Sequence, residues 1–93
     1  MARVQILRWQ EIPSVVKAFA EDGTSVSRQL DPWFQQEIDR QAMAAGLVGS
    51  DAYLEQWAWD AAEERPGTVE ETLDAVEREL EEQFAERRYR KPS

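Results

Sequence analysis

The sequence predicts an α+β domain: a two-layer sandwich in which a four-stranded, mostly antiparallel sheet carries two main helices on one face, in the order β-β-β-α-α-β-α. Three observations predict it. Two β-rich runs flank Asp22-Gly23, a short-range hairpin signal. An apolar stripe at helical spacing, Val69, Leu73, Val76, Leu80 and Phe84, runs through the C-terminal third. Between them, the stretch LVGSDAYLEQWAWD at 47–60 joins a helix stop, a helix start and the period-two alternation of Trp57 and Trp59.

The chain of 93 residues makes one domain, residues 1–93, with about 87–93 expected as a frayed basic tail. A chain this short buries roughly 60–65% of its unfolded surface, so the core is thin and its four Trp, three Phe and two Tyr carry much of it. Absence of Cys and His removes disulfides, thiol nucleophiles, imidazole bases and the usual zinc ligand sets. The N-terminus has no apolar signal-peptide core and no run approaches the ~20 apolar residues of a membrane span, so a cytoplasmic, membrane-free protein is expected. The net charge of −8 is uneven. Residues 1–50 hold five cationic against six anionic side chains, whereas 51–93 hold six against thirteen. Bulk electrostatics therefore argue against nucleic acid and for a basic partner.

Taken in order, ARVQILRW at 2–9 carries apolar residues on both alternating faces, as a strand with cover on each side does. Gln10 to Pro13 turns the chain. Segments 14–20 and 24–30 form the hairpin; with Asp22-Gly23 as a two-residue loop, Phe19 faces Val26, Val15 faces Leu30, and Lys17 faces Arg28. Two cations face to face are mildly unfavourable, so the pair is either a splayed, solvated edge or an anion-binding patch. Asp31-Pro32 starts a helix expected over 32–45, its inner stripe Phe34, Ile38, Ala42 and Ala45 and its stop Gly46. Trp33 falls off that stripe and either covers the sheet edge or joins an exposed contact surface.

Ser50 caps a short helix from Asp51, with Tyr53 and Leu54 turned inward, and 55–60 reads as a strand. Residues 61–67 read as a loop closed by Pro66-Gly67. Thr68 and Glu71 form a capping box ahead of the last helix, whose outer face is almost wholly acidic.

The chemistry-bearing candidates are few. Carboxylates on a solvated helix face keep ordinary acidity and make poor general acids. Asp60, at a strand end beside Trp59, reads foremost as a loop cap. The four glycines are dispersed, so no phosphate loop forms, and no base completes a Ser or Thr triad. No enzyme activity, metal or cofactor is expected. The constellation singled out for partner or anion binding is Trp9, Glu11 and Arg65 with the cations Arg8, Lys17 and Arg28, and with Trp33. Arg65 sits on a Pro-Gly loop and offers the planar fork suited to carboxylate or phosphate. The competing reading pairs Arg65 with a nearby carboxylate and puts Trp9 in the core.

The strings WQEIPS at 9–14, GSDAYL at 49–54 and ERPG at 64–67 resemble the small bacterial virulence factor domain family, over about residues 3–86. The chain is also similar to the C-terminal part of conserved virulence factor C. The resemblance implies no defined chemistry. It implies an accessory role beside folate-linked one-carbon and corrinoid methyl-transfer proteins. The leading expectation is thus a non-catalytic interaction module or scaffold subunit, its partner another protein such as a methyltransferase or reductase subunit. The alternatives are a binder of a small anionic, folate-like ligand and an acidic decoy for a basic partner. Oligomeric state is left open.

Overall fold

The computed structural model describes residues 1–89. Strand β1 (Ala2–Trp9) is paired along both sides. On one side lies β2 (Ile12–Phe19), followed outward by β3 (Ser25–Gln29); on the other, β4 (Trp57–Trp59) takes residues 7–9 of β1 and β5 (Glu63–Arg65) takes residues 2–4. Every pairing is antiparallel. The helices are α1 (Pro32–Ala44), α2 (Asp51–Glu55), α3 (Val69–Gln83) and α4 (Ala85–Tyr89). The two-layer α+β architecture is the expected one. The sheet has a fifth strand where a loop was expected, and α2 takes residue 55 from the expected strand.

The core follows from two matching periods. Val4 on β1 and Val16 and Ala18 on β2 turn one face of the sheet inward. Phe34, Ile38 and Ala42 of α1 and Leu73, Val76 and Leu80 of α3 cover it, with Phe84 closing the end. Each of the Val, Leu, Ile and Phe side chains among them contributes roughly 1.5–3 kcal/mol on burial. The caps sit where the sequence puts them. Asp31 accepts the Trp33 amide at 2.9 Å, and the Thr68–Glu71 box closes reciprocally at 3.1 and 3.2 Å. At the end of α1, Gly46 has φ +70°, its N–H bonds the Met43 carbonyl, and the Leu47 N–H reaches back to Ala42. Those two bonds make a Schellman motif and fold Leu47 inward.

The hairpin register differs from the expected one. The loop has three residues, Glu21-Asp22-Gly23, with Ala20 paired to Thr24 at 2.8 Å and Gly23 at φ +92°. A turn closed by a left-handed glycine is the standard three-residue solution. Adding one loop residue slips β3 by one, and a slip of one sends each side chain to the opposite face. Lys17 therefore faces Ser27, while Arg28 faces Val16 on the helix side. The Lys17–Arg28 pair does not exist.

The first turn is also tighter than expected. Gln10-Glu11 alone links Trp9 to Ile12, Gln10 at φ +55°, and Pro13 already belongs to β2. Ser14 is unopposed where the register shifts between Leu7 and Arg8, a bulge that tolerates the missing proline donor. Leu54 is 65% exposed and not inward, because the five-residue α2 buries its Tyr53 side instead. The expected fray from 87 is helical through Tyr89, and Arg87 and Arg88 are ion-paired. The rest of that tail, residues 90–93, lies outside the described residues.

Candidate functional site

The seven residues singled out from the sequence fall into separate settings. Trp9 is fully buried, its ring tilted against that of Tyr53 at 5.7 Å, and its indole N–H donates to the Tyr53 carbonyl at 2.9 Å. Trp33 is half-buried, edge-on to Phe34 at 5.1 Å and 6.3 Å from Phe84. Trp9 thus ties α2 to β1, and Trp33 packs the start of α1 against the end of α3.

Arg8 and Glu11 meet at the β1–β2 turn. The Arg8 guanidinium donates to the Glu11 carbonyl at 3.3 Å and lies 3.5 Å from Asp60, while the Glu11 carboxylate accepts from Arg87 at 3.1 Å. Arg87 also reaches Glu37, at 3.4 Å, a carboxylate only 8% exposed that Arg40 pairs at 3.1 Å. Here α4 is clasped to both the turn and α1. Asp60 is a strand cap: its carboxylate accepts the Ile6 amide at 2.8 Å and its own N–H bonds the Ile6 carbonyl at 3.0 Å.

Arg28 and Arg65 clasp α3 to the sheet from its two sides. Arg28 pairs with Asp74, and with Glu77 at 3.1 Å. These partners raise its pKa above the ordinary arginine value, with hydrogen bonding to Asp74 the leading cause. Arg65 holds Glu79 through two bonds, 2.5 and 2.8 Å, the bidentate geometry that only a guanidinium offers. That contact raises the Arg65 pKa and pulls the Glu79 carboxyl below its usual range. Three acids of α3 are therefore committed to the protein's own cations.

Lys17 alone of the seven faces away from the helices. Its ammonium lies 5.2 Å from the centroid of the Phe19 ring. Cross-strand register puts Arg3, Gln5 and Leu7 on the same face, opposite Phe19, Lys17 and Val15, and sets Trp59 against Leu7. Trp59 is 45% exposed, and Leu7, Val15 and Phe19 are half-buried. Neither Arg3 nor Lys17 has an ion-pair partner among the described residues. Sequence reading missed this face, although its signal was legible: apolar residues on both alternating sets of β1, and helices enough to cover only one.

Two concavities complete the surface. One, of about 390 Å³, lies by the hairpin between Arg3, Phe19, Gly23, Glu21 and Glu64; its two carboxylates oppose an anion. The other, about 370 Å³, lies at the α1–α2 junction between Asp39, Met43, Val48, Gly49 and Tyr53. Among the described residues no helix is long and apolar enough to cross a membrane, and no group of three or more acids converges as metal ligands would. No curated protein and no solved structure matches the chain. A family model matches residues 7–91, nearly the whole length, and by that match the chain belongs to the virulence factor family.

Proposed function

We propose that this domain is a non-catalytic interaction module, an accessory subunit that docks on another protein through the uncovered face of its sheet. The observation that carries this reading is the composition of that face: Leu7 lies between Val15 and Trp59, Lys17 follows along β2, and Phe19 stands beyond it opposite Arg3, which Glu64 faces from the other side. Apolar side chains beside exposed cations suit a partner surface that pairs aliphatic groups with carboxylates, and Trp and Arg are the usual anchors of such contacts. Glu64 opposes Arg3 at the hairpin end of the face, so a carboxylate of the partner is best met at Lys17. The enzyme system we favour is cytoplasmic methyl transfer linked to folate or corrinoid chemistry, the setting that the family resemblance implies, with a methyltransferase or reductase subunit as partner.

The anionic-ligand reading has less support, since of the three sheet cations singled out from the sequence Arg8 and Arg28 are engaged within the fold and Lys17 alone stands on the open face. The decoy reading is weakened in the same way by the α3 acids bound to Arg28 and Arg65.

The test is capture of the methyltransferase or reductase subunit by the intact chain, beside the double variant Lys17→Glu, Trp59→Ser. Recovery of that subunit by the wild type and its loss by the variant, at unchanged melting temperature, is the expected result. Equal recovery by both, or no such subunit with either, would overturn the reading.

A further inference from the structure

A second surface, remote in sequence from the open-face residues of β1 and β2, is built at the α1–α2 junction. Met43 is 70% and Val48 63% exposed, and between them, with Tyr53, Gly49 and Asp39, lies the cavity of about 370 Å³. Leu54, next to Tyr53 on α2, is exposed as well. Single exposed apolar residues are ordinary on a protein surface. Two of them lining one concavity, with a third on the adjoining helix, are the pattern of a recognition groove.

The groove is preformed. Its rear wall is fixed by the Schellman motif that folds Leu47 inward and leaves Val48 outward, and by Gly49 at φ +78°. Ser50 caps α2 and its hydroxyl donates back to the Leu47 carbonyl. Tyr53 is held from behind by the rings of Trp9 and Trp57, at 5.7 and 6.3 Å. A wall fixed in this way loses little entropy when a ligand settles on it. Methionine adds an unbranched side chain that can follow partners of differing shape.

Charge selects the occupant. From residue 41 to residue 64 the chain has no Lys or Arg, while Asp51, Glu55, Asp60, Glu63 and Glu64 fall in that stretch. Asp39 stands in the groove wall, and Asp51 and Glu55 are exposed on α2, none of the three in an ion pair among the described residues. One carboxylate in the wall of an apolar groove, with two more on the adjoining helix, repels phosphates and anionic bilayers. It complements a helix with an apolar stripe and Lys or Arg beside it. The volume is at the small end of ligand pockets, sufficient for the one or two side chains that anchor such a helix.

We propose that the α1–α2 groove binds a basic amphipathic helix of a partner protein, an apolar anchor entering between Met43, Val48 and Tyr53 while its cations meet Asp39, Asp51 and Glu55. The site is independent of the sheet face, so the two readings fail separately.

The probe is a synthetic 18-residue helical peptide with a leucine stripe and lysines on its polar face. Controls are the same stripe with glutamates and the lysine peptide with its leucines scrambled. Binding to the full chain is followed by the NMR methyl signals of Met43 and Val48. The expected result is saturable movement of both signals with the amphipathic lysine peptide only, weakened at least tenfold by Met43→Lys or by Val48→Lys. Both positions are exposed, so either variant keeps the fold. Equal binding of the glutamate or scrambled peptide, undiminished binding to both variants, or still methyl signals would overturn the proposal. So would sedimentation showing that a second copy of the chain already fills the groove.

Discussion

Thr72 lies on the inner side of α3, 2% exposed beside Leu73 and Val76, and its hydroxyl is buried without a hydrogen-bond partner among the described residues. The carbonyl four residues back, that of Thr68, receives the Thr72 amide at 2.9 Å. A buried hydroxyl left unsatisfied costs about 1–3 kcal/mol. Valine has nearly the same shape and a similar helix propensity, so Thr72→Val removes that cost and leaves packing in place. The expected gain is about 1 kcal/mol, which for a domain of this length raises the melting temperature by roughly 4–8 °C. Thr72→Ser keeps the hydroxyl and deletes a buried methyl, so it should fall about 1 kcal/mol below the wild type. Thermal unfolding by circular dichroism of the three proteins checks the order Val, Thr, Ser. A valine variant equal to or below the wild type would show that the hydroxyl is satisfied, and the argument from an unpaired polar group would fail.

Gly23 meets nothing within 4 Å of an added Cβ, so the cost of Gly23→Val is purely that of its φ of +92°; chemical denaturation should show a loss of about 1 kcal/mol or more. Arg65→Glu sets a new carboxylate against Glu79 and beside Glu64, and should lower stability by roughly 0.5–1 kcal/mol, with Glu79→Arg in the same chain restoring most of it; a double-mutant cycle without coupling would remove Arg65 as a clasp. The carboxyls of Glu79 and Asp31 are both held below their usual range, by Arg65 and by the Trp33 amide respectively. Their contribution is present above the ordinary carboxylate range and lost as pH falls through about 4 and below, so the wild type should lose melting temperature there more steeply than Glu79→Gln.

What the sequence made legible was whatever depended on local chemistry. Asp31-Pro32, Ser50 and Thr68 with Glu71 cap their helices because capping involves residues within three positions of each other. The stripe of α3 lies inward because 3.6-residue spacing decides it. Strand β5 was not legible: Glu63-Glu64-Arg65 has no apolar alternation, and only backbone pairing to Ala2, Arg3 and Val4 defines it. The internal partners of the candidate residues were not legible for a related reason. A charged residue on a loop or strand says nothing about which carboxylate the fold will bring to it, and Arg65 and Glu79 meet only once β5 exists. Trp9 was ambiguous because its indole needs one acceptor, and the Tyr53 carbonyl that supplies it is 44 residues away.

The hairpin register decides more than the pairing of two strands. In the expected two-residue turn, Arg28 and Leu30 would have stood on the open face beside Lys17 and Val15. The three-residue turn buries Leu30 to 4% exposure, its amide on the Ser14 carbonyl at 3.0 Å, and moves Arg28 beneath the acids of α3. Each effect favours the other: the slip that covers an apolar side chain also supplies a cation where a row of carboxylates descends on the sheet. The consequence is a molecule with two electrical sides. Acids predominate on the helical side, while the open sheet face keeps Arg3, opposed by Glu64, and Lys17 among its apolar residues. On the two proposed readings a partner bearing carboxylates would approach the sheet face, and one bearing lysines the helical side with its groove. The two proposed contacts thus differ in the charge they ask of a partner.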